Sequence, residues 1–218
     1  MGAVAHWASL DKAIYTPLNN LTLQTRNGTT QIDHVILSRF GVFVVEAKNI
    51  EGWIFGDAKS PQWSVVRFGH RYRIQNPLHQ NYRHVRAVVE HLSIDQSKVH
   101  SLVMFWGDCE FKTLMPPNVL RGGYSAYIKS FTQAVFTERE VAGLIEALMS
   151  RALPKSWSTR REHLASLKDR HASTTTCPKC GGNLLLRTAK AGVNAGRRFY
   201  GCSGYPKCRY TKPYASDA

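Results

Sequence analysis

Short runs of alternating apolar and polar residues, separated by turn residues, fill the first third of the chain. Residues 13–30 alternate in this way around an Asn27-Gly28 turn, and two denser apolar runs follow at residues 32–37 and 42–48, joined by the loop SRFG. Alternation with a period of two is typical of strands, and a short loop between two such runs is typical of a hairpin. The segments GWIFG and WSVVRFGHRYRI, which glycines bound or interrupt, predict further short strands.

The apolar period changes to that of a helix from Pro77 onwards. The apolar positions of HQNYRHVRAVVEHL that recur at three- and four-residue spacing are Tyr82, Val85, Val88, Val89 and Leu92. VHSLVMFW then predicts a buried strand, and TEREVAGLIEALMSRAL predicts a second amphipathic helix, in which Thr137 and Glu140 have the spacing of a capping box. The order of strands, helix, strand and helix predicts an α/β or α+β core in residues 1–150.

The end of the chain differs from the rest in charge. The formal net charge of the 218 residues is +14, but residues 151–218 carry 14 Lys and Arg against 3 Asp and Glu, whereas residues 1–150 carry 15 against 12. A concentrated cationic segment favours a polyanionic partner, and nucleic acid and an anionic membrane surface both qualify, while a merely solubilising tail is the simpler alternative. Residues 151–174 predict a basic helical segment and a Ser/Thr linker after Pro154, followed by a cysteine-rich module at residues 175–214.

Composition excludes several classes of protein. With 43% hydrophobic and 20% charged residues the chain has the composition of a globular protein. No run approaches the ~20 apolar residues of a membrane span, and MGAVAHWASLDK lacks the basic start and apolar stretch of a secretory signal. These patterns predict a cytoplasmic protein without a membrane partner.

Three charged residues interrupt the two densest apolar strands, namely Asp33, Glu46 and Lys48. If the two strands form a hairpin with a four-residue loop, Leu37 faces Val42. The same register puts Asp33 opposite Glu46, and Lys48 shares their face because side chains alternate. Two opposed carboxylates repel, and Mg²⁺ or Mn²⁺, which prefer oxygen ligands, would remove that cost. A metal with an ammonium group beside it suits phosphodiester hydrolysis. The alternative is exposed charges at strand ends, with a Glu46–Lys48 ion pair.

The stretch QIDHVILSRFGVFVVEAKNIEGWIFG, together with NPLHQNYRHVRAV, resembles the nuclease-related domain family. Because that family is related to the PD-(D/E)XK nucleases, the resemblance implies an α/β fold with a mixed central sheet flanked by helices. It also implies metal binding by Asp33 and Glu46 and catalysis by Lys48. The supporting polar residues would be Gln31 and Gln80. Family members begin with a helix that carries a Gly-Glu pair, whereas this sequence has no glutamate before Glu46.

Four of the five cysteines lie close together near the end of the chain. They are Cys177, Cys180, Cys202 and Cys208, in the spacing C-x2-C, 21 residues, C-x5-C. Four thiolates at this spacing suit one structural Zn²⁺, and so small a module needs a metal to stabilise its fold. CPKCGG predicts a knuckle in which the glycines let backbone N–H groups approach the sulfurs, and NLLLRT and RRFYGC predict two strands of a zinc-ribbon-like module. Unliganded cysteines and a redox site are the alternatives.

The cysteine module resembles the zinc finger at the C-terminus of bacterial type I topoisomerases, through CPKCGG, LLLR and GRRFYGCSGYPKCRYT. That resemblance implies binding to DNA, particularly to single strands, through cations that neutralise phosphates and aromatic rings that stack on bases. The candidate DNA-binding residues are Arg187, Lys190, Arg197, Arg198, Phe199, Tyr200, Tyr205, Lys207, Arg209 and Tyr210. We expect Phe199 and Tyr210 also to fill part of the module's small core.

The remaining polar and reactive residues are expected in structural roles. His34 alternates onto the face opposite Asp33, and His79 and His84 are expected at the surface of the first helix or in its packing. Cys109 is expected as a small buried residue, and the five tryptophans mostly in the core or between packed units.

Together these patterns favour a DNA-processing protein, in which a metal-dependent nuclease domain is tethered to DNA by a zinc finger. A catalytically incomplete DNA-binding or DNA-repair accessory protein is the first alternative, since the family's N-terminal glutamate has no counterpart here. An RNA-binding protein is the second, because basic and aromatic side chains serve RNA equally well.

Overall fold

The alternating segments at the start of the chain form strands, as predicted, in a computed structural model that describes residues 9–26, 28–206 and 208–214. The strands are β1 (Thr16–Thr25), β2 (Gly28–Ser38), β3 (Gly41–Asn49), β4 (Gly52–Phe55), β5 (Gln62–Arg67), β6 (His70–Gln75), β7 (Val99–Trp106), β8 (Cys109–Phe111), β9 (Val119–Leu120), β10 (Leu184–Thr188), β11 (Arg198–Cys202) and β12 (Thr211–Pro213). The helices are α1 (Pro77–Leu92), α2 (Tyr124–Lys129), α3 (Glu138–Arg151) and α4 (Trp157–Ala172), with a 3-10 turn at Gln96–Lys98. The sequence did not predict α2, β8, β9 or β12, which are all short.

The larger sheet has the strand order β1-β2-β3-β7-β9. Its first three strands pair in antiparallel fashion, whereas β7 is parallel to β3 and β9 is parallel to β7. A parallel neighbour requires a long crossover connection, and here the residues between β3 and β7 form the smaller sheet and α1. The result is a mixed sheet.

Helices cover both faces of this sheet, because the side chains of each strand alternate between two apolar clusters. One cluster joins Val35 and Val44 to Val88 of α1, and it also includes residues of α3. The other cluster joins Phe43 to Ile128 of α2. A mixed sheet between helices is the predicted α/β fold class, which is confirmed.

The ends of α1 and α3 follow from local sequence signals. Asn76 caps α1 by accepting a hydrogen bond from the Leu78 N–H at 3.0 Å, and the helix ends at Ser93 in the left-handed conformation, with φ of 53°. The predicted capping box of α3 is present, since Thr137 and Glu140 bond each other's backbone N–H groups.

The smaller sheet, in the order β6-β5-β4-β8, packs one face against β7. Trp63 stacks on Phe105 of β7, with ring centroids 5.9 Å apart, and Cys109 is buried in the same cluster, as expected. The expectation that most tryptophans lie in the core is wrong for two of the described ones. Trp53 is 51% exposed on the outer face of this sheet, and Trp157 at the start of α4 is 86% exposed.

The basic segment after Pro154 forms α4, as the sequence indicates, and α4 lies against the start of β2. The Thr29 N–H donates to Ser166 Oγ at 3.2 Å, and Thr29 Oγ1 lies 3.0 Å from His163 Nδ1. The antiparallel sheet β10-β11-β12 then forms the cysteine module. Among the described residues, no helix combines the length and the apolar character that crossing a membrane requires.

Candidate active site and zinc centre

The hairpin of β2 and β3 has the register that the sequence predicts, with Leu37 opposite Val42 and His34 opposite Val45. The ladder ends at this second pair, and Asp33 and Glu46 are the next residues along the two strands, close enough that the charge of Glu46 acts on Asp33. The carboxylate of Asp33 reaches across to β3, where Oδ2 accepts a hydrogen bond from the Ala47 N–H at 2.8 Å. The two acids therefore meet on the face of the sheet that α1 covers.

Glu46 is almost fully buried, and nitrogen atoms contact both of its carboxylate oxygens. Lys48 Nζ lies 2.6 Å from Oε1, and His84 Nε2 lies 3.0 Å from Oε2. A second partner fixes the ammonium group of Lys48, because Nζ donates to Gln80 Oε1 at 3.0 Å. The structure thus brings Glu46, Lys48 and Gln80 together, as the resemblance implies, and adds His84 to them.

His84 is buried, as the packing alternative of the sequence expectation allows, but the sequence did not predict its polar partners. The ring is 4% exposed, and its Nδ1 lies 2.9 Å from Thr30 Oγ1 of β2. An ionised carboxylate can only accept, so His84 Nε2 donates to Glu46. The spacing of four residues between Gln80 and His84 was an available signal, since it puts both on one face of α1.

His34 and His79, which the sequence also places in structural roles, have polar partners away from Glu46. His34 Nδ1 lies 2.7 Å from Asn19 Oδ1 on β1, away from the acid pair. His79 Nε2 lies 3.0 Å from the Ala58 carbonyl oxygen, which ties the start of α1 to the loop before β5. Neither ring contacts Glu46 in the described structure, in agreement with the sequence expectation.

The two acids differ in how readily they lose a proton. Burial raises the pKa of Asp33 above its ordinary value, the charge of Glu46 raises it further, and the Ala47 N–H opposes the shift. Burial would also raise the pKa of Glu46, but the hydrogen bond from His84 and the charge of Lys48 outweigh it and hold that pKa below its ordinary value. Glu46 is therefore the firmly ionised member of the pair.

The protein itself satisfies much of the charge that the sequence interpretation assigned to a divalent cation. Asp33 accepts a backbone hydrogen bond, and Glu46 contacts Lys48 and His84. Carboxylate oxygens nevertheless suit Mg²⁺, which commonly takes one or two carboxylates and completes its shell with water and phosphate oxygens. Within the described residues, Asp33 and Glu46 do not form a group of three or more ligating side chains within 4.8 Å of one another. The two carboxylates therefore suit a Mg²⁺ ion that keeps several water ligands. They do not form a closed protein cage around an ion.

Gln31 lies apart from this cluster. Its side chain is exposed and lines a groove between β1, β2 and α4, beside Lys155 and Trp157. Thr30 and Ile32 on either side of it point to the face that α1 covers. Gln31 therefore points to the opposite face, towards α4 and the segment before it, which the hairpin alone could not predict.

The four cysteines of the module come together as their spacing predicts. Their sulfur atoms all lie within 4.8 Å of one another, with Cys177 Sγ 3.8 Å from Cys208 Sγ and Cys180 Sγ 3.3 Å from Cys202 Sγ. The Gly204 N–H donates to Cys202 Sγ at 3.3 Å. A cluster of four buried or half-buried thiols with backbone donors around them suits tetrahedral Zn²⁺, and the arrangement supports a structural zinc ion.

The knuckle glycines act as the sequence predicts. Hydrogen bonds from the neighbouring thiols, Cys177 first, and a bond from the Gly182 backbone lower the pKa of Cys180 to about 2. A Cβ atom at Gly182 would lie 3.4 Å from Cys180 Sγ, so this backbone passes the sulfur at contact distance. The site favours at least one thiolate, which is the form that binds zinc.

Most of the candidate DNA-binding side chains are at the surface of the module. The exposed ones are Arg187, Lys190, Arg197, Arg198, Tyr205 and Arg209. Tyr210 packs against the cysteine cluster, as expected, but Tyr200 takes the second core position that was expected for Phe199. Phe199 instead lines a cavity of about 300 Å³ with Arg187, its partner across the β10–β11 ladder. Lys207 lies outside the described residues.

One contact joins the cysteine module to α1. The guanidinium group of Arg83 donates to the Pro178 carbonyl oxygen at 3.1 Å, so the knuckle lies beside the helix that carries Gln80 and His84. The neighbouring Lys179 acts electrostatically on His79, which is also on α1. The module and the acid pair are therefore connected through one helix.

Comparison with known protein families agrees with this division of the chain. The nuclease-related domain family matches residues 3–106, and the topoisomerase DNA-binding C4 zinc finger matches residues 174–216. An uncharacterised protein of Bacillus anthracis is 34% identical over 171 residues, which are 76% of this chain and 80% of that protein. The chain belongs to the nuclease-related domain family and carries a topoisomerase-type C4 zinc finger at its C-terminal end.

The zinc finger has its own relatives. DNA topoisomerase 1 of Methanocaldococcus jannaschii is 58% identical over 37 residues, and that of Archaeoglobus fulgidus is 54% identical over 37 residues. Each match covers 17% of this chain but only 4% and 5% of the respective topoisomerase. The likeness therefore concerns the finger alone. No solved structure matches the chain.

Proposed function

We propose that this chain is a metal-dependent nuclease that hydrolyses phosphodiester bonds in DNA at the face formed by Asp33, Glu46 and Lys48. The position of Lys48 is the observation that carries the proposal. Its Nζ lies 2.6 Å from Glu46 and 3.0 Å from Gln80, on a strand whose neighbour presents Asp33. Two carboxylates with a fixed ammonium group are the parts that phosphodiester hydrolysis requires.

Each residue has a distinct task in this mechanism. Glu46 and Gln80 hold the ammonium group of Lys48, which orients the attacking water or stabilises the charge that develops on the phosphate oxygens. His84 fixes the second oxygen of Glu46 and thereby the direction of its carboxylate. Mg²⁺ or Mn²⁺ bound by Asp33 and Glu46 would supply Lewis-acid polarisation of the phosphate and a water of lowered pKa.

The zinc finger would hold the DNA. Its exposed cations can neutralise phosphates, and Tyr205, which is 62% exposed, can stack on a base. The hydrogen bond from Arg83 to Pro178 supports delivery of the bound strand towards α1. A finger in contact with the nuclease domain raises the local DNA concentration at the acid pair.

A non-enzymatic DNA-binding or DNA-repair accessory protein is the second candidate. Both oxygens of Glu46 are already engaged by Lys48 and His84, so this carboxylate has partners without a metal. On this hypothesis the fold positions the finger and the hairpin charges are structural.

Incubation of the purified chain with supercoiled plasmid and with end-labelled single-stranded DNA separates the two candidates. We expect cleavage with Mg²⁺ or Mn²⁺, and none by Asp33→Asn, which removes the ionised oxygen of a proposed metal ligand. DNA binding without cleavage by the unaltered chain, with either metal, would favour the accessory protein. Competition with RNA of the same sequence tests the choice of nucleic acid.

A further inference from the structure

A groove of about 500 Å³ lies between β1, β2 and the start of α4, outside the acid pair and the zinc finger. Thr22 of β1 and Gln31 of β2 form one wall. Lys155, Trp157 and His163, from α4 and the segment before it, form the other. Polar side chains line both walls, and the second wall adds the cation of Lys155 and one large aromatic ring at the start of α4.

The groove begins next to the proposed reaction centre. Gln31 precedes Asp33 by two residues on β2, which is roughly 7 Å along the strand. Hydrogen bonds from adjacent residues of β2 reach both helices, since Thr29 contacts His163 of α4 and Thr30 contacts His84 of α1. The groove therefore lies on the α4 side of β2, and α1 with Glu46 lies on the other side of the same strand, close to Asp33 in the chain.

The charge of this region suits an anionic chain. None of the described residues that line the groove is acidic, and Lys155 contributes a cation. The sequence from residue 151 to residue 172 carries six Lys and Arg against two Asp and Glu. A phosphate backbone would be attracted to this segment.

Trp157 gives the groove a second kind of contact. Its indole is 86% exposed, whereas Trp63 in the core is 1% exposed. A single exposed aromatic ring needs no explanation by itself, but this one lines a cationic groove beside a proposed phosphodiester site. Exposed rings in such grooves bind nucleic acid by stacking on bases, and a base is available for stacking on its face only when it is unpaired.

From these observations we infer that the groove binds a single-stranded segment of the nucleic acid substrate, with Trp157 stacked on an unpaired base and Lys155 at a phosphate. The inference rests on the proposed nuclease function, because it states that the substrate of the same nuclease is single-stranded where it binds. It adds a binding surface to the one formed by the finger.

Photo-cross-linking of the full chain to a single-stranded oligonucleotide that contains 5-bromodeoxyuridine tests the inference directly. The reaction is run without added Mg²⁺ or Mn²⁺, so that binding is measured in the absence of cleavage, and the cross-linked peptides are identified by mass spectrometry. We expect a cross-link at Trp157. Cross-links confined to the finger, or found at the equally aromatic but distant Trp53, would overturn the inference.

Measurements of DNA affinity test the same inference quantitatively. Trp157→Ala should weaken binding of a single-stranded oligonucleotide by about fivefold or more, in line with the loss of one stacked base, and should change the affinity for blunt duplex DNA less. The matched control is Trp53→Ala, the other described tryptophan that is more than half exposed. Equal affinities of Trp157→Ala and the unaltered chain for the single-stranded oligonucleotide would overturn the proposed binding role of the groove. A cross-link at Trp157 in a chain that cleaves DNA under no metal condition would overturn the proposed nuclease function. The proposed binding of single-stranded nucleic acid in the groove would still hold.

Discussion

His84 Nε2 lies 3.0 Å from Glu46 Oε2, although the two residues are 38 positions apart and lie on different elements. Both side chains are almost completely buried. The contact means that the carboxylate at the centre of the proposed site is held from α1 as well as by Lys48 on its own strand. A charge that the sequence presents as an interruption of a buried strand is therefore part of a satisfied hydrogen-bonded group, which also includes Thr30.

The first prediction concerns the role of His84 in positioning Glu46. His84→Leu should lower the rate constant of DNA cleavage by roughly 10- to 100-fold, the usual effect of losing a residue that orients a metal ligand. DNA affinity should stay unchanged, because the finger is unaltered, and His84→Gln should restore part of the rate by donating to Glu46 again. The matched control is His91→Leu on the same helix, which contacts the Gln24 carbonyl instead. An equal loss of activity in the control would contradict a specific role for His84.

The second prediction is that the two acids have opposite effects on stability. The pKa of Asp33 is raised in the folded chain, so its ionised form costs stability at neutral pH, and that cost disappears as the pH falls through the folded-state pKa. Asp33→Asn should therefore raise the free energy of unfolding. Glu46→Gln should lower it, by roughly 3 kcal/mol, because Lys48 and His84 lose a buried charge partner.

Urea denaturation at pH 7.5 without added divalent cations measures both changes. The control is Glu110→Gln, a half-exposed carboxylate whose partner is Lys112 on the surface, and it should change stability by less than about 0.5 kcal/mol. A destabilised Asp33→Asn variant would show that the fold depends on this acid and would contradict a functional explanation of its burial.

The third prediction follows from two buried histidines. Burial lowers the pKa of His79, with a further contribution from Lys179, and burial lowers the pKa of His100, which packs between Phe43 and Phe131. The unfolded chain binds these protons at a higher pH than the folded chain does. The stability that the two buried rings contribute is fully present above the ordinary histidine pKa of about 6.5. It is lost as the pH falls below that value, because the unfolded chain then binds protons more readily.

Unfolding of the double variant His79→Gln/His100→Gln at pH 7.5 and pH 5.5 checks this dependence. The difference in free energy of unfolding between the two pH values should be smaller than in the unaltered chain, while any contribution from the zinc site is the same in both. An identical pH dependence would show that neither ring contributes.

The fourth prediction separates the finger from the rest of the chain. Cys202→Ser should release about one zinc ion per chain and weaken DNA binding. The unfolding transition of the larger sheet and its helices should remain, since their apolar clusters include no residue of the finger. Zinc content by atomic spectroscopy and DNA binding by fluorescence anisotropy measure the two effects. Cys109→Ser is the control, because that thiol is buried far from the other four. Unchanged DNA affinity after zinc loss would show that another surface binds DNA.

The hairpin register next to the loop could be predicted from sequence, because a period of two and a fixed loop length determine which side chains face each other. The confirmed register of Leu37 with Val42 illustrates this. The zinc cluster was equally predictable, because ligand type and spacing carry the information locally. Both predictions depend on residues that are close in sequence or restricted by one chemistry.

Contacts between elements could not be predicted in the same way. The sequence places His84 on α1 but does not say that α1 lies over β3, so the bond to Glu46 appears only in the fold. The groove with Gln31 and Trp157 has the same origin, since residues 31 and 157 meet only because α4 returns to the start of β2. Tyr200 and Phe199 exchanged their expected roles because adjacent strand residues point to opposite faces, and the sequence did not fix which face covers the cysteines.

The central claim is that Lys48 serves the hydrolysis of a phosphodiester bond. The most direct test is the rate of Mg²⁺-dependent DNA cleavage by Lys48→Met, compared with Lys112→Met, a surface lysine that also pairs with a glutamate. We expect the cleavage rate of Lys48→Met to fall at least about 100-fold, while this variant keeps its fold and its affinity for DNA. Lys112→Met should retain the full cleavage rate. Cleavage by Lys48→Met at the rate of the unaltered chain would contradict it.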